Sequence, residues 1–187
     1  MLMEGVPGSL VECGVWRGGS SGIMGTAARE AGRFLHLFDS FEGLPEPGAL
    51  DGDEAVQYSG GKASGELAPI GKCDATLDTV KGVLFERFGL DPQGVRFHVG
   101  WFQNTVPRDA VNLGPIAVLR LDGDWYESTK VCLEHLYPAL SARGVLILDD
   151  YYCWEGCRKA AEEYRAAHAI TAPIQRIDRD AAYWIKP

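Results

Sequence analysis

The feature that most constrains this chain is an alternation of short apolar runs, each stopping on glycine or an acid, with stretches whose apolar residues recur at helical spacing. Such a rhythm is the signature of a parallel sheet wrapped by helices, because parallel strands need crossover connections and are buried on both faces. The runs are residues 9–14 (SLVECG), 33–39 (RFLHLFD), 95–99 (VRFHV), 116–121 (IAVLRL) and 144–150 (GVLILDD). After the first run, Ile23, Met24, Ala27, Ala28 and Ala31 fall on one helical face behind a cap at Ser20 or Ser21. Further helices are expected over 77–88, 128–140 and 155–167, and two weaker strands at 174–177 and 182–185. Residues 45–75 are rich in Gly, Pro, Asp, Ser and Lys without clear periodicity, so a long loop or lid is expected there. The expected fold is α/β, a doubly wound, mostly parallel sheet in a single domain over 1–187, with ligands at the carboxyl ends of the strands.

At 187 residues and 46% hydrophobic, the chain has room for one core and needs no disulfide or structural metal to hold it. Eighteen basic against 26 acidic side chains leave a net charge of −8, which argues against nucleic acid or an anionic membrane as partner. No run approaches the length of a membrane span and the start lacks a secretory layout, so a cytoplasmic protein is expected. Five scattered cysteines, an odd number, fit reduced thiols better than a disulfide framework.

Polar or glycine residues gather at the five strand ends: Glu12 and Gly14, Asp39, Gly100, Asp122 with Asp124, and Asp149 with Asp150. In VECGVWRGGSS the glycines allow a tight turn with room for a ligand, but Val15 and Trp16 break the G-x-G-x-x-G dinucleotide pattern. Glu12 would repel a pyrophosphate at the following helix and instead suits a cationic ligand such as S-adenosylmethionine, with its sulfonium and ammonium groups. Asp39 is placed to take the ribose hydroxyls of an adenosine group.

The four aspartates close two strands that this topology makes neighbours. Converging carboxylates raise one another's pKa values and oppose folding unless a cation sits among them. An all-oxygen set without histidine or cysteine points to a hard divalent ion, magnesium first, then manganese or calcium. Such an ion can hold a substrate hydroxyl and make it more acidic, leaving a fourth acid to act as general base.

The blocks VECGVWRGGSS, FDSFEGLP, VRFHVGWFQNTVP, LRLDGDWYESTK and LILDDY together resemble the macrocin O-methyltransferase family, class I S-adenosylmethionine enzymes that methylate sugar hydroxyls of macrolide and aminocoumarin antibiotics. The resemblance spans about residues 10–160. It implies a Rossmann-like seven-stranded methyltransferase sheet and a small hydroxylated acceptor. It also implies a cofactor lying against Glu12, Gly14, Trp16, Gly18 and Ser20, with Asp39 and Ser40 near the ribose and Gly100, Trp101 and Phe102 near the adenine. Asp122 borders that pocket and, with Asp149 and Asp150, matches the family's magnesium (or manganese) site, while Asp124 matches its proposed base. Family members carry several dozen more residues before the first strand, which here begins by residue 9. The acceptor pocket is therefore expected to be shallower, to be completed by a neighbouring subunit of a homo-oligomer, or to take another acceptor.

Two other functions compete. LDGDW superficially resembles the motif of haloacid-dehalogenase-type magnesium phosphatases, although the two acidic motifs lie close together past mid-chain. A non-catalytic S-adenosylmethionine binder is the third, and four mutually repelling acids argue against it. Of the remaining polar residues, His36 and His98 are expected as satisfied core side chains. Cys153 and Cys157 either pack or line the acceptor pocket, and Arg17 and Lys72 are expected on the surface.

Overall fold

The computed structural model describes residues 5–187. Seven strands form one sheet: β1 (Ser9–Cys13), β2 (Leu35–Asp39), β3 (Val95–Val99), β4 (Ile116–Leu121), β5 (Leu140–Leu148), β6 (Gln175–Arg176) and β7 (Ala182–Ile185). Their order is β3-β2-β1-β4-β5-β7-β6. The first five run parallel, while β7 lies antiparallel to β5 and β6 antiparallel to β7. Among the described residues the α-helices are α1 (Gly19–Glu30), α2 (Gly52–Tyr58), α3 (Leu77–Lys81), α4 (Phe102–Asp109), α5 (Tyr126–Leu136) and α6 (Glu155–Ala167), with α3 continuing through wider π-type turns over Gly82–Arg87.

All five residues of β1 are buried, as expected of the central strand of a sheet covered on both faces. On one face Leu10, Leu35, Leu37, Val80 and Leu84 form a core beneath α1 and α3. Across the sheet Leu119, Leu133, Leu136, Leu146 and Trp184 form a larger core beneath α5 and α6. Each fully buried leucine of this kind contributes roughly 1.5–3 kcal/mol. The chain leaves β1 toward β2 on one side, and β4 pairs on the other, so the crossovers diverge between β1 and β4. Such a switch point opens a crevice at the strands' carboxyl ends.

Several local expectations shift. No side chain caps α1; Gly18 does so with φ +81, and the Ser21 hydroxyl is instead bonded to Glu12. Residues 45–75 are more ordered than a loop, since α2 forms there and Pro45 pairs with Pro69 in an antiparallel bridge. Leu44, Ala55 and Trp125 bury one another, which docks the segment on the start of α5. That helix begins at Tyr126, two residues earlier than its spacing suggests, because Asp51 Oδ1 accepts from the Tyr126 N–H at 2.6 Å. Among the described residues no helix is long and apolar enough to cross a membrane.

Candidate active site

The crevice begins at Gly14, where φ is +89° and an added Cβ would lie 1.8 Å from the Asp122 carbonyl oxygen. Only glycine lets β1 and β4 approach this closely at their ends. From there the turn folds back over β2. Asp39 Oδ2 accepts from the backbone N–H groups of Val15 at 2.6 Å and Trp16 at 3.3 Å, and Oδ1 accepts from Phe41 at 2.6 Å. Burial pushes the Asp39 carboxyl up, against the pull of these three donors. The Oδ2 expected to serve a ribose thus braces the glycine turn and Oδ1 binds the chain after β2, although Asp39 still borders the crevice.

A cavity of about 250 Å³, open to solvent, fills the crevice. Gly14, Trp16, Asp39, Ser40, Trp101 and Phe102 line one part of it, and Asp122, Asp124 and Asp149 line another. Leu44, Pro45 and Cys73 wall it from the 45–75 segment, with Gln103 and Ser128 completing the lining. The volume lies just under the usual range of small-molecule sites, roughly 300–1,000 Å³.

Five expected site residues lie outside the lining. Glu12 is wholly buried, accepting from the Ser21 hydroxyl and from Arg120 Nη1, so it does not reach a ligand. Ser20 also bonds Glu12. Gly18 packs under Val80 as the α1 cap, and Gly100 donates to the Asp39 carbonyl oxygen at 2.9 Å, closing β3 onto β2. Asp150 is 6% exposed, and its Oδ2 accepts from the Asp124 N–H at 3.0 Å.

The acids do converge. Asp122, Asp149 and Asp150 each present an oxygen within 4.8 Å of the other two. Sequence reasoning missed the cation already among them: Arg120 Nη1 lies 2.9 Å from both Glu12 Oε1 and Asp122 Oδ2, and Nη2 lies 2.6 Å from Asp149 Oδ1. A signal was available, because Glu12 and Arg120 are opposite charges inside apolar strands and become register partners on β1 and β4. Burial opposes the Arg120 charge, but Asp122, Glu12 and Asp149 more than offset it and hold the guanidinium firmly protonated.

Burial and its neighbours' charges set the remaining protonation states. The Asp150 carboxyl is pushed up to about 7, mainly by burial and then by Asp122. Asp122 is raised by burial while Arg120 pulls it back. Asp124 is raised well above the usual carboxylate range by burial and by Asp150 and Asp122. Its backbone takes the left-handed conformation, φ +55°, and its Oδ1 accepts from Trp154 Nε1–H at 2.8 Å. Its carboxyl thus holds a proton more readily than an exposed aspartate and stands beside a hard-oxygen donor set.

The two core histidines behave as expected. His36 Nδ1 lies 3.1 Å from His98 Nε2, and His98 Nδ1 lies 2.8 Å from Asp109 Oδ2, away from the cavity. Cys157 is buried in the core and neither Cys153 nor Cys157 lines the cavity, whereas Cys73, which no sequence signal marked, does. Arg17 is exposed over the Trp16 ring at 4.9 Å, and Lys72 lies 5.3 Å from the Tyr58 ring centroid.

A family model described as macrocin-O-methyltransferase (TylF) matches residues 1–186. The 8-demethyl-8-(2,3-dimethoxy-alpha-L-rhamnosyl)-tetracenomycin-C 4'-O-methyltransferase of Streptomyces olivaceus is 43% identical over 98% of this chain and 68% of its own length. The mycinamicin III 3''-O-methyltransferase of Micromonospora griseorubida is 40% identical over 98% of this chain and 70% of its own. Among solved structures, the O-methyltransferase NovP superposes with a TM-score of 0.80 at 36% identity, covering 99% of this chain and 74% of that one.

Proposed function

The chain belongs to the macrocin-O-methyltransferase family, and from that membership we propose that it methylates a sugar hydroxyl of a glycosylated natural product, acting as one catalytic unit over 1–187. It is an S-adenosylmethionine-dependent O-methyltransferase of class I fold, as its relatives' names and the NovP superposition support. Membership displaces the phosphatase reading. The observation that carries the site assignment is that one cavity meets both the glycine turn after β1 and the acidic corner after β4 and β5.

S-adenosylmethionine brings a methyl group on a positively charged sulfur, ready for in-line displacement. Gly14 leaves space for it over the strand end, Trp101 and Phe102 offer flat apolar faces to an adenine, and the carboxylates of Asp39 and Asp122 favour a cation. Asp39 acts chiefly by fixing the Val15–Trp16 backbone through its hydrogen bonds. Asp122, Asp149 and Asp150 fit a magnesium or manganese ion, since three carboxylate oxygens within 4.8 Å and no soft donor among them suit a hard cation. Bound there, such an ion would orient the acceptor hydroxyl and lower its pKa.

Asp124 is the base. Trp154 holds its Oδ1, which fixes the carboxylate so that its other oxygen can take the hydroxyl proton as the acceptor oxygen attacks the methyl carbon. Burial and the neighbouring Asp150 and Asp122 raise its pKa, which makes it a stronger proton acceptor than an exposed aspartate. Leu44, Pro45 and Cys73 wall the cavity beside this corner. A rhamnose-type hydroxyl is the preferred acceptor, by analogy with the tetracenomycin enzyme, whose name carries a rhamnosyl group. The cytoplasm suits its five unpaired cysteines.

Incubation with methyl-labelled S-adenosylmethionine and a panel of macrolide and aromatic polyketide glycosides tests this. We expect label on a sugar oxygen of at least one glycoside, located by mass spectrometry and NMR. Label appearing only on nitrogen, carbon or an aglycone phenol would refute the sugar assignment.

A further inference from the structure

Arg120 lies at the meeting point of three acids, yet neither a cofactor nor a base needs it. Its side chain is 13% exposed and sits on β4 between the buried residues Leu119 and Leu121. Both guanidinium nitrogens are committed, Nη1 to Glu12 and Asp122 and Nη2 to Asp149. Glu12, wholly buried and bonded by Ser21, anchors it from the opposite side. The fork of an arginine can bridge carboxylates in this way and a lysine ammonium cannot.

We propose that Arg120 is the resident counter-ion of the acidic corner, holding Asp122 and Asp149 in place before a divalent ion arrives and limiting how tightly that ion is then held. The inference rests on the metal site assigned above. Two consequences of the geometry carry it. Without a neutralising charge, Asp122, Asp149 and Glu12 would repel one another in a largely buried place, so the metal-free fold depends on Arg120. An arriving ion must then share Asp122 and Asp149 with a guanidinium that cannot swing away, because Glu12 pins it from beneath.

Arg120 therefore acts on the metal in two opposing directions. It orders two ligands in advance, which favours binding, and it places a positive charge against the same two carboxylates, which opposes it. Ordering two short aspartate side chains recovers little entropy. Repulsion between a guanidinium and a divalent ion that share two carboxylates at contact distance is larger, even with those carboxylates 30% and 39% exposed. The second effect wins, and the metal is held weakly enough to exchange.

Calorimetric titration of Mn²⁺ into metal-stripped protein, combined with thermal melts, reads both consequences. We expect Arg120→Gln to lower the metal-free melting temperature and to tighten Mn²⁺ binding by about tenfold or more. The double variant Glu12→Gln/Arg120→Gln leaves no orphaned buried carboxylate at residue 12, so it guards against a single variant that fails to fold, and we expect tightening of the same sign. Mn²⁺ affinity that is unchanged or weaker in both variants would overturn the proposal. So would an unchanged metal-free melting temperature. Absence of Mn²⁺ binding even in the wild-type protein would remove the metal site itself and the inference with it.

Discussion

Trp154 donates its indole N–H to Asp124 Oδ1 at 2.8 Å, while its ring packs against Trp125, with centroids 5.1 Å apart, and against Tyr58 of α2, 5.4 Å away. Asp124, the proposed base, and the segment that walls the cavity thus share one aromatic side chain.

Replacing Asp124 by Asn removes the proton acceptor without changing its size. Turnover should fall about 10²–10⁴-fold while S-adenosylhomocysteine affinity stays within error. Trp154→Phe keeps the packing and removes the donor, so a smaller loss of kcat is expected, roughly tenfold or more, for a hydrogen bond to a charged group. Steady-state kinetics with calorimetry separates the two effects from cofactor binding. Full activity in Asp124→Asn would strip that residue of its role.

Gly14→Ala places a methyl group against the Asp122 carbonyl at a backbone angle that alanine disfavours. A cost of about 3 kcal/mol or more is expected, with loss of cofactor binding. Denaturant unfolding and titration with S-adenosylhomocysteine measure both. A variant as stable as the wild type would mean that β1 and β4 part more easily than their contact implies.

Asp51 bonds Gly48 N–H through Oδ2 at 2.7 Å and Tyr126 N–H through Oδ1 at 2.6 Å, tying residues 45–75 to α5. Asp51→Ala should cost about 1–2 kcal/mol and speed proteolytic nicking around residues 59–66, with Asp51→Asn recovering part of the loss. Equal nicking rates in all three proteins would show that Leu44, Ala55 and Trp125 dock the segment by themselves.

In the metal-free protein the Asp150 carboxyl, pushed up to about 7 by burial and Asp122, stays protonated where the unfolded chain, near 3.8, has already lost its proton. Its contribution is therefore present at pH values below 3.8 and is lost as pH rises toward 7. His36, pushed down to about 4 by burial and by His98 and Arg96, has the opposite slope, favouring the fold as pH rises from 4 to 6.5. Comparing the wild type with Asp150→Asn cancels the histidine. The variant's relative stability should grow between pH 4 and 7, reaching about 1 kcal/mol or more in metal-free melts. A difference that does not change with pH would place the Asp150 titration outside this window.

Much of this structure was legible in the sequence. β1 and β4 stand within a residue of their apolar runs, because strands buried on both faces carry their signal locally, and the half-exposed edge strand β3 matches its run as well. The convergence of Asp122, Asp149 and Asp150 followed from the same runs, since each acid ends a strand and β4 neighbours β5. What escaped depended on partners distant in the chain. Glu12 looked ligand-facing until its register with Arg120, 108 residues away, turned it inward. α5 starts two residues early because its cap, Asp51, lies 75 residues upstream. α2, seven residues long, owes its order to Trp125 and Leu44 and not to its own spacing.

Turnover of metal-stripped enzyme on a rhamnoside acceptor, before and after Mg²⁺ is restored, bears on the acidic corner without intermediaries. We expect methyl transfer to fall at least about 10²-fold on stripping and to recover on adding Mg²⁺ to the wild type but not to Asp149→Ala. Methyl transfer that proceeds undiminished in excess chelator would contradict a metal-assisted reaction at Asp122, Asp149 and Asp150.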